Sequence, residues 1–175
     1  DEFSVLKNLI LSAGYRFDRV SVEGSNQDFS TPSNDFSNQK NIYKAEAYEA
    51  GLTWLWDDQS KMFVKYATVY RIPFLDEVAS FSGFGGNFLK SLEKEKGKSM
   101  EMGAEYYLLN NLKLGVALFR LDMEDEIEYV YDPETFTGEN RNTGKTRHDG
   151  VEASFAYLLQ KYFRIFGNYT YQNAT

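Results

Sequence analysis

The sequence has 175 residues, with 19 Lys and Arg against 26 Asp and Glu and a formal net charge of −7. This acidic balance argues against nucleic acid as a partner, because a phosphate backbone requires a basic surface. The absence of cysteine excludes disulfides, thiol catalysis and cysteine-ligated zinc, and the single histidine, His148, excludes a site with several histidine ligands.

Apolar and polar residues alternate along most of the chain, which is typical of strands whose two faces meet different surroundings. Aromatic residues make up 17% of the chain and there are only 3 prolines, a composition that also favours β structure. Several of the predicted strands are longer than the ~9–11 residues that cross a bilayer when tilted. The pattern predicts seven strands, at about 7–22, 43–56, 61–71, 97–109, 112–131, 141–158 and 162–172.

Short turns alternate with long connections between these strands. The long connections span about 23–42, 72–96 and 132–140, and we expect the first, which is rich in Ser, Asn, Asp and Gln, to be mobile. Short turns at one edge and long loops at the other are the plan of an outer-membrane barrel. Aromatic residues recur beside the short turns, where they indicate a belt at the membrane interface rather than the core of a sandwich. They are Trp54, Trp56, Tyr106, Tyr107, Tyr157, Tyr162 and Phe163.

The strand at 112–131 changes its pattern part-way along. Its apolar residues occupy even positions up to Leu118 and mainly odd positions afterwards, while Asp122, Glu124, Glu126 and Glu128 form an acidic row. A β-bulge would produce this change, and so would a strand that leaves the bilayer and continues as an exposed ribbon. The acidic row suits a calcium site at the rim or a solvated wall, whose partners on the next strand would be Arg141, Lys145 and Arg147.

Two segments in the middle of the chain carry recognisable motifs. Residues 66–78, with Arg71 and Glu77, are similar to a strand that ends in an aromatic-Arg-x-Pro-x-x-x-Glu-Leu turn. Residues 92–103 resemble a Leu-x-Pro-Glu stretch that leads into a Glu-x-Gly strand, with Lys94 in place of the usual proline.

Three further segments complete the set. Residues 118–127 match a Leu-Phe-x-x-x-x-x-Asp-x-Ile strand, and residues 142–152 match Asn-x-Gly-x-x-Arg-x-x-Gly-Val-Glu. Residues 16–18 resemble an Arg-Tyr-Asp strand end. By the order and spacing of these motifs, the chain resembles the barrel domain of TonB-dependent outer-membrane receptors.

This resemblance implies a barrel of 22 strands with a plug folded inside it, which seven strands cannot close. We therefore expect an all-β fold: an antiparallel transmembrane β-barrel segment in a bacterial outer membrane. Residues 1–175 would be a partial barrel domain of a longer protein, without the plug domain and the terminal strands.

The candidate binding residues lie in the long loops, because loops carry most ligand contacts. Aromatic rings with a few polar donors suit a bulky chelate or ring compound, and the alternative is that these side chains pack the loops together. The candidates are Phe81, Phe84, Asn87 and Phe88 in the connection 72–96, and Tyr129, Tyr131, Phe136 and Arg141 around the tip at 129–141.

The resemblance implies active transport of a scarce metal chelate, most commonly a ferric siderophore, bound by extracellular loops and the plug. It implies three partners: the chelate, outer-membrane lipid, and a TonB-type energising protein that binds the missing N-terminal region. It implies no cofactor. Alternatives are a cobalamin, haem or glycan receptor of the same family, or a small closed barrel or adhesin, which an even strand count would favour. No catalytic constellation is present, so we do not expect an enzyme.

Overall fold

The computed structural model describes residues 2–27, 36–79, 88–108, 111–134, 136–159 and 162–175. These residues form one antiparallel sheet in which each strand pairs with its neighbours in the sequence. A four-residue helix, α1 (Leu75–Val78), interrupts the succession of strands. Within these ranges, no helix has the length and apolar character needed to cross a membrane. The strands are β1 (Glu2–Leu6), β2 (Leu9–Asn26), β3 (Phe36–Leu55), β4 (Lys61–Arg71), β5 (Glu95–Leu108), β6 (Leu112–Asp132), β7 (Thr137–Leu159) and β8 (Phe163–Ala174).

The sheet confirms the all-β antiparallel prediction, but the count of seven strands was wrong. β1 is the additional strand, and its five exposed residues are too few to show a clear alternation. In the described residues β1 pairs with β2 and β8 pairs with β7, and the two end strands do not pair with each other. An even number of strands therefore forms an open sheet here, not a small closed barrel.

The strands also extend further into the long connections than predicted. β2 continues to Asn26 and β3 begins at Phe36, so residues 23–26 and 36–42 are in strands and not in a loop. Their pairing runs in register from Val22 opposite Asn41 to Gly24 opposite Gln39. Residues 28–35, the middle of the connection expected to be mobile, lie outside the described residues.

The register places the apolar rows of the strands on one face of the sheet, which we call the outer face. Met102, for example, lies opposite Val64 on one side and Leu118 on the other, and Leu118 lies opposite Val151. The opposite, inner face is polar along the same strands, and there Glu105 binds Lys61 at 3.5 Å and Lys113 at 2.9 Å. An apolar outer band over a polar inner wall is the arrangement of a transmembrane barrel.

Aromatic side chains border the apolar band at both heights. At the edge with short turns, the ring of Trp56 lies 6.1 Å from Trp54 and 6.2 Å from Tyr106, in agreement with the predicted belt. Tyr107 was wrongly included in that belt, because it lies on the inner face, where Lys113 is over its ring. At the other height, Tyr15 and Tyr48 are directly opposite each other with ring centroids 5.1 Å apart. Two such belts mark the two interfaces of a membrane.

The change of pattern along β6 is not a bulge at residue 118. Leu118 and Arg120 both stay in regular register with β5 and β7, and the strand leaves the apolar band at that height. The register shift lies further on, between Glu124 and Ile127, where Asp125 has a φ of 58°. The second alternative, a strand that continues beyond the bilayer, is therefore correct, and the bulge belongs to that extension.

The bulge also breaks the acidic row. Glu124 and Glu128 lie opposite Lys145 and Arg141, whereas Glu126 lies opposite Gly144. Of the predicted partners, Arg147 binds Asp122 at 2.6 Å. The described residues contain no group of three or more His, Cys, Asp or Glu that could hold a metal ion.

Candidate functional site: the rim loop

The connection between β4 and β5, residues 72–94, folds over the inner face of the sheet beyond the apolar band. We call it the rim loop. Pro73 follows the end of β4 and cannot continue a strand ladder, and α1 follows immediately. The structure describes residues 72–79 and 88–94 of this loop.

Arg71 is the main polar anchor of the rim loop. Its Nη1 donates to Glu77 Oε2 of α1 at 2.8 Å, and its Nε donates to Glu95 Oε2 at 2.7 Å. A second hydrogen bond joins Arg71 Nη2 to Glu95 Oε1, so that the guanidinium binds the Glu95 carboxylate through two parallel hydrogen bonds. Glu95 Oε1 also accepts the backbone N–H of Ile127 at 3.0 Å. The pair of Arg71 and Glu95 thus connects the two ends of the loop to each other and to β6.

The hydrogen bonds of this anchor favour the charged forms of both Arg71 and Glu95. Burial alone would raise the pKa of Glu95, but the hydrogen bonds from Arg71 and from the backbone N–H of Ile127 outweigh it and lower that pKa. The same hydrogen bonds to Glu95, together with those to Glu77, raise the pKa of Arg71. The guanidinium also lies 5.0 Å from the ring centroid of Phe74, which is within the range of a cation–π contact.

A small apolar cluster lies under the rim loop. We call it the rim cluster; it consists of Tyr43, Val78, Leu89 and Leu92, all buried. Partly buried residues from β2, the loop and β6 pack against it, namely Val22, Ile72, Phe88 and Ile127. The loop therefore rests on a core of its own, separate from the apolar band of the outer face.

Asparagine side chains fasten the loop to β7 and β6. Asn142 accepts the N–H of Glu93 at 2.8 Å and donates to the carbonyl oxygens of Glu93 and Asp125 at 2.9 and 2.8 Å. Asn140 donates to the carbonyl oxygen of Glu77 at 3.0 Å. On the other flank, Lys94 Nζ donates to the carbonyl oxygen of Lys44 in β3 at 2.7 Å. The loop is therefore held from both sides.

The loop closes on itself around residues 80–87. Ala79 and Phe88 form an isolated bridge, and Leu89 donates its N–H to the carbonyl oxygen of Val78 at 2.8 Å. The predicted site residues Phe81, Phe84 and Asn87 lie outside the described residues. The structure does place Phe88 against the rim cluster, so for Phe88 the packing alternative holds.

The hairpin of β6 and β7 supplies the second group of predicted site residues. Tyr129, opposite Asn140, and Tyr131, opposite Gly138, share the face of Ile127, and their exposed fractions are 64% and 52%. Phe136, in the turn, is also exposed and has a φ of 56°. Arg141 lies on the other face, opposite Glu128, and donates to Glu139 at 2.8 Å. The two tyrosines are thus brought beside the rim loop, and Arg141 is not.

The sequence did not single out the anchor residues Arg71, Glu77 and Glu95 or the two asparagines. A signal was available for four of them, because Arg71, Glu77, Glu95 and Asn142 occupy fixed positions of the motifs at 66–78, 92–103 and 142–152. Asn140 gave no signal of this kind, and its partner Glu77 is 63 residues away in the chain.

With this architecture established, the comparisons decide the family. The family model described as "TonB dependent receptor-like, beta-barrel" matches residues 1–175. The chain belongs to this family. Its members are transport receptors of the bacterial outer membrane, which confirms the resemblance and the predicted location.

Individual relatives agree with this assignment. The catecholate siderophore receptor Fiu of Escherichia coli K12 is 28% identical over 131 residues, which cover 73% of this chain and 17% of that receptor. Two solved structures share the fold: the copper transporter OprC (TM-score 0.76, 16% identity) and the siderophore receptor PiuA from Acinetobacter baumannii (TM-score 0.75, 22% identity). The likeness covers 99% of this chain and 28% and 24% of those two chains. The chain thus spans 17 to 28% of the length of these three proteins.

Proposed function

We propose that this chain forms part of the wall and the external rim of a receptor that imports a ferric siderophore of the catecholate class. The observation that carries the proposal is the braced rim loop on the inner face, with the exposed rings of Tyr129 and Tyr131 on the neighbouring hairpin. Exposed aromatic rings on a fixed support suit the flat, apolar rings of a catecholate ligand. The relative at 28% identity is a catecholate siderophore receptor, which supports this ligand class over cobalamin, haem or glycan.

In this proposal Phe81, Phe84 and Asn87 would contact the chelate from residues 80–87, the segment whose two ends the Ala79–Phe88 bridge holds together. Tyr129 and Tyr131 would contact it from the side. The role of Phe88 would be to fix the base of the segment, and a role for Arg141 in binding stays a prediction. Energy for import would come from a TonB-type protein that acts on the plug of the complete receptor.

The test is a binding and uptake measurement on the full-length receptor reconstituted in liposomes. The probe is the iron(III) tris-catecholate complex, compared with haem and cobalamin, and binding is followed by quenching of intrinsic fluorescence. We expect measurable affinity for the iron complex but not for haem or cobalamin. We also expect uptake of the iron complex to depend on the energising protein. Tighter binding of haem or cobalamin would overturn the choice of ligand.

A matched pair of double variants tests the proposed surface. Replacement of Tyr129 and Tyr131 by alanine removes two exposed rings from the inner face, and we expect affinity for the iron complex to fall about tenfold. The control replaces Tyr169 and Tyr171, which have similar exposure but lie on the outer face. Equal losses in the two variants would contradict a ligand surface at the hairpin.

A further inference from the structure

The sheet divides into two parts beyond the apolar band. The pairing of β3 with β4 ends at Glu49 opposite Ala67. Both strands continue past this point, because β3 stays paired with β2 as far as Phe36 and β4 stays paired with β5 as far as Arg71. The end of the pairing is therefore not the end of either strand. It is a fork in the sheet, with β2 and β3 on one side and β4 to β8 on the other.

Side chains take the place of the missing neighbour along the edge of β3 that faces the fork. Tyr48 donates its N–H to Thr68 Oγ1 at 2.9 Å, so that a hydroxyl replaces the carbonyl that would continue the ladder. The carbonyl oxygen of Lys44 accepts a hydrogen bond from Lys94 Nζ at 2.7 Å, and the N–H of Ile42 donates to the side chain of the preceding residue at 3.0 Å. These main-chain groups are thus satisfied one at a time, and no ladder resists separation of the two strands.

The ring of Tyr70 fills the fork. Tyr70 lies on the outer row of β4, opposite Lys96, and lines a groove of about 380 Å³ on the outer side. Its ring centroid is nevertheless 5.9 Å from Cζ of Arg16, which lies on the inner face of β2 opposite Ala47. The ring therefore extends between β3 and β4 from the outer side towards the inner side. The small side chains of Ala45 and Ala47 leave room for it, and Ala45 is fully buried.

The rim loop is fastened mainly to one side of the fork. Its anchors Arg71, Asn140 and Asn142 belong to β4 and β7. Towards β3, the described ranges show the bond from Lys94 and a long hydrogen bond of 3.5 Å from Asn41 Nδ2 to the carbonyl oxygen of Lys90. Apolar contacts complete this side, because Tyr43 of β3 and Val22 of β2 pack in and against the rim cluster. The loop and β4 to β7 therefore form one unit, which β2 and β3 contact through few bonds.

We propose that the hairpin of β2 and β3 beyond the fork, residues 16–26 and 36–47, is a hinged arm that opens and closes against the rim loop. The hinge is the end of the ladder at Tyr48 and Thr68. The closed position, which the structure shows, is held by the side chains of Tyr43, Tyr70 and Lys94. Opening would separate β3 from β4 beyond the band and uncover one side of the rim cluster, while the ladder within the band stays intact. This motion does not depend on the identity of the imported molecule.

The first test measures distances across the fork in the full-length receptor, reconstituted in liposomes and free of other cysteines. R19C and K98C carry spin labels on β2 and β5, so that the pair spans the fork. K98C and N173C carry them on β5 and β8, which are also three strands or about 14 Å apart but lie on one side of it. In double electron–electron resonance, we expect the distance distribution across the fork to be at least twice as wide as the control distribution. Equal widths would overturn the proposal.

Variants of the closing contacts test the arm itself. In the R19C/K98C receptor, Y70A removes the ring from the fork, and we expect the fraction of long distances to rise at least twofold. Y66A is the matched control, because Tyr66 lies on the same row of β4 but within the continuous ladder, opposite Ala50. Equal shifts in Y70A and Y66A, or no shift in Y70A, would contradict the arm.

A second matched pair tests the contact from the rim loop. K94Q removes the ammonium that binds the carbonyl oxygen of Lys44 and should shift the same distribution in the same direction as Y70A. K90Q changes an exposed lysine of the same loop whose main chain, and not its side chain, accepts the bond from Asn41, and should leave the distribution unchanged. Equal distributions in K94Q and K90Q would show that Lys94 does not hold the arm.

Hydrogen exchange in the unmodified receptor tests the fork without any variant, and so serves if a labelled variant folds poorly. Lys44 and Glu46 direct their N–H groups towards β4, as Tyr48 does, but lie beyond the ladder. Ala50 and Leu52 point the same way within it. We expect the amides of Lys44 and Glu46 to exchange at least tenfold faster than those of Ala50 and Leu52, because local opening exposes the first pair alone. Equal protection would show that the two strands stay together and would overturn the proposal.

Discussion

The apolar band and the rim of this sheet are held in different ways. In the band, each strand from β2 to β7 is supported by ladders on both sides, and outer side chains such as Met102 face lipid without any specific partner. In the rim, one arginine, two asparagines and a four-residue cluster hold a 23-residue loop in place. The band therefore depends on a repeated pattern, whereas the rim depends on a few particular residues.

The largest loss of stability should come from a lysine placed on the outer face in the middle of the band. M102K puts a charge on the lipid face at mid-depth, and we expect the free energy of unfolding of the reconstituted receptor to fall by about 3 kcal/mol. E101K places the same side chain one residue earlier on the inner face and should cost much less. Urea titrations of both variants in liposomes make the comparison. Equal losses would show that the outer face does not meet lipid.

Loss of the arginine should open the rim and leave the band intact. R71A leaves the buried carboxylate of Glu95 without its charged partner, at a cost of about 2 kcal/mol to the packing of the loop. We expect the amides of Leu89 and Leu92 to exchange hydrogen about 30-fold faster, with the strands of the band unchanged. R16A, which removes an exposed arginine bound to Asp18 within one strand, is the control. Faster exchange throughout the sheet would contradict a locally braced loop.

Acid should loosen the rim in the same way but to a smaller extent. The pKa of Glu95 is lowered in the folded protein from its ordinary value of 4.5, so its contribution to stability is complete above about pH 4.5. That contribution is lost as the pH falls further, through the lowered pKa. Hydrogen exchange at Leu92 should therefore accelerate below about pH 4.5. In R71A the acceleration should disappear, because burial then raises the pKa of Glu95 and protonation favours the packed loop.

The smallest effect should come from an ion pair on the exposed extension of the sheet. R120Q breaks the 2.5 Å pair with Asp149, in which the two side chains are 51% and 38% solvent-exposed. Exposed pairs contribute little, so we expect a loss of at most about 0.5 kcal/mol in the same urea titration. A loss near that of R71A would show that exposed pairs, and not the anchor, hold the rim.

The band was predictable from the sequence because its surroundings impose a period of two on every strand. Leu9 to Phe17 and Phe163 to Tyr171 alternate so clearly that a few residues identify the strand. β1 was not predicted because its five residues are too few to show the alternation. The extension of β6 was ambiguous because a strand that enters water and a bulge both interrupt the apolar row, and only the register with Arg120 and Asp149 separates them.

The rim could not be predicted to the same extent. Its contacts join residues far apart in the chain, such as Asn140 with Glu77 and Asn142 with Glu93, and no local period records them. Arg71 stood in a recognised motif, but the motif did not indicate that Glu95 would be its second partner. The aromatic candidates had the same difficulty, since only the structure shows that Phe88 packs inwards while Tyr129 and Tyr131 stay exposed.

The Ala79–Phe88 bridge has a consequence for how such receptors diversify. Because Ala79 and Phe88 are paired with each other, the eight residues between them can be replaced as one segment. The entropy of closing a longer insert rises only slowly with its length, so that new sequences could be grafted between these two positions while the scaffold beneath stays unchanged.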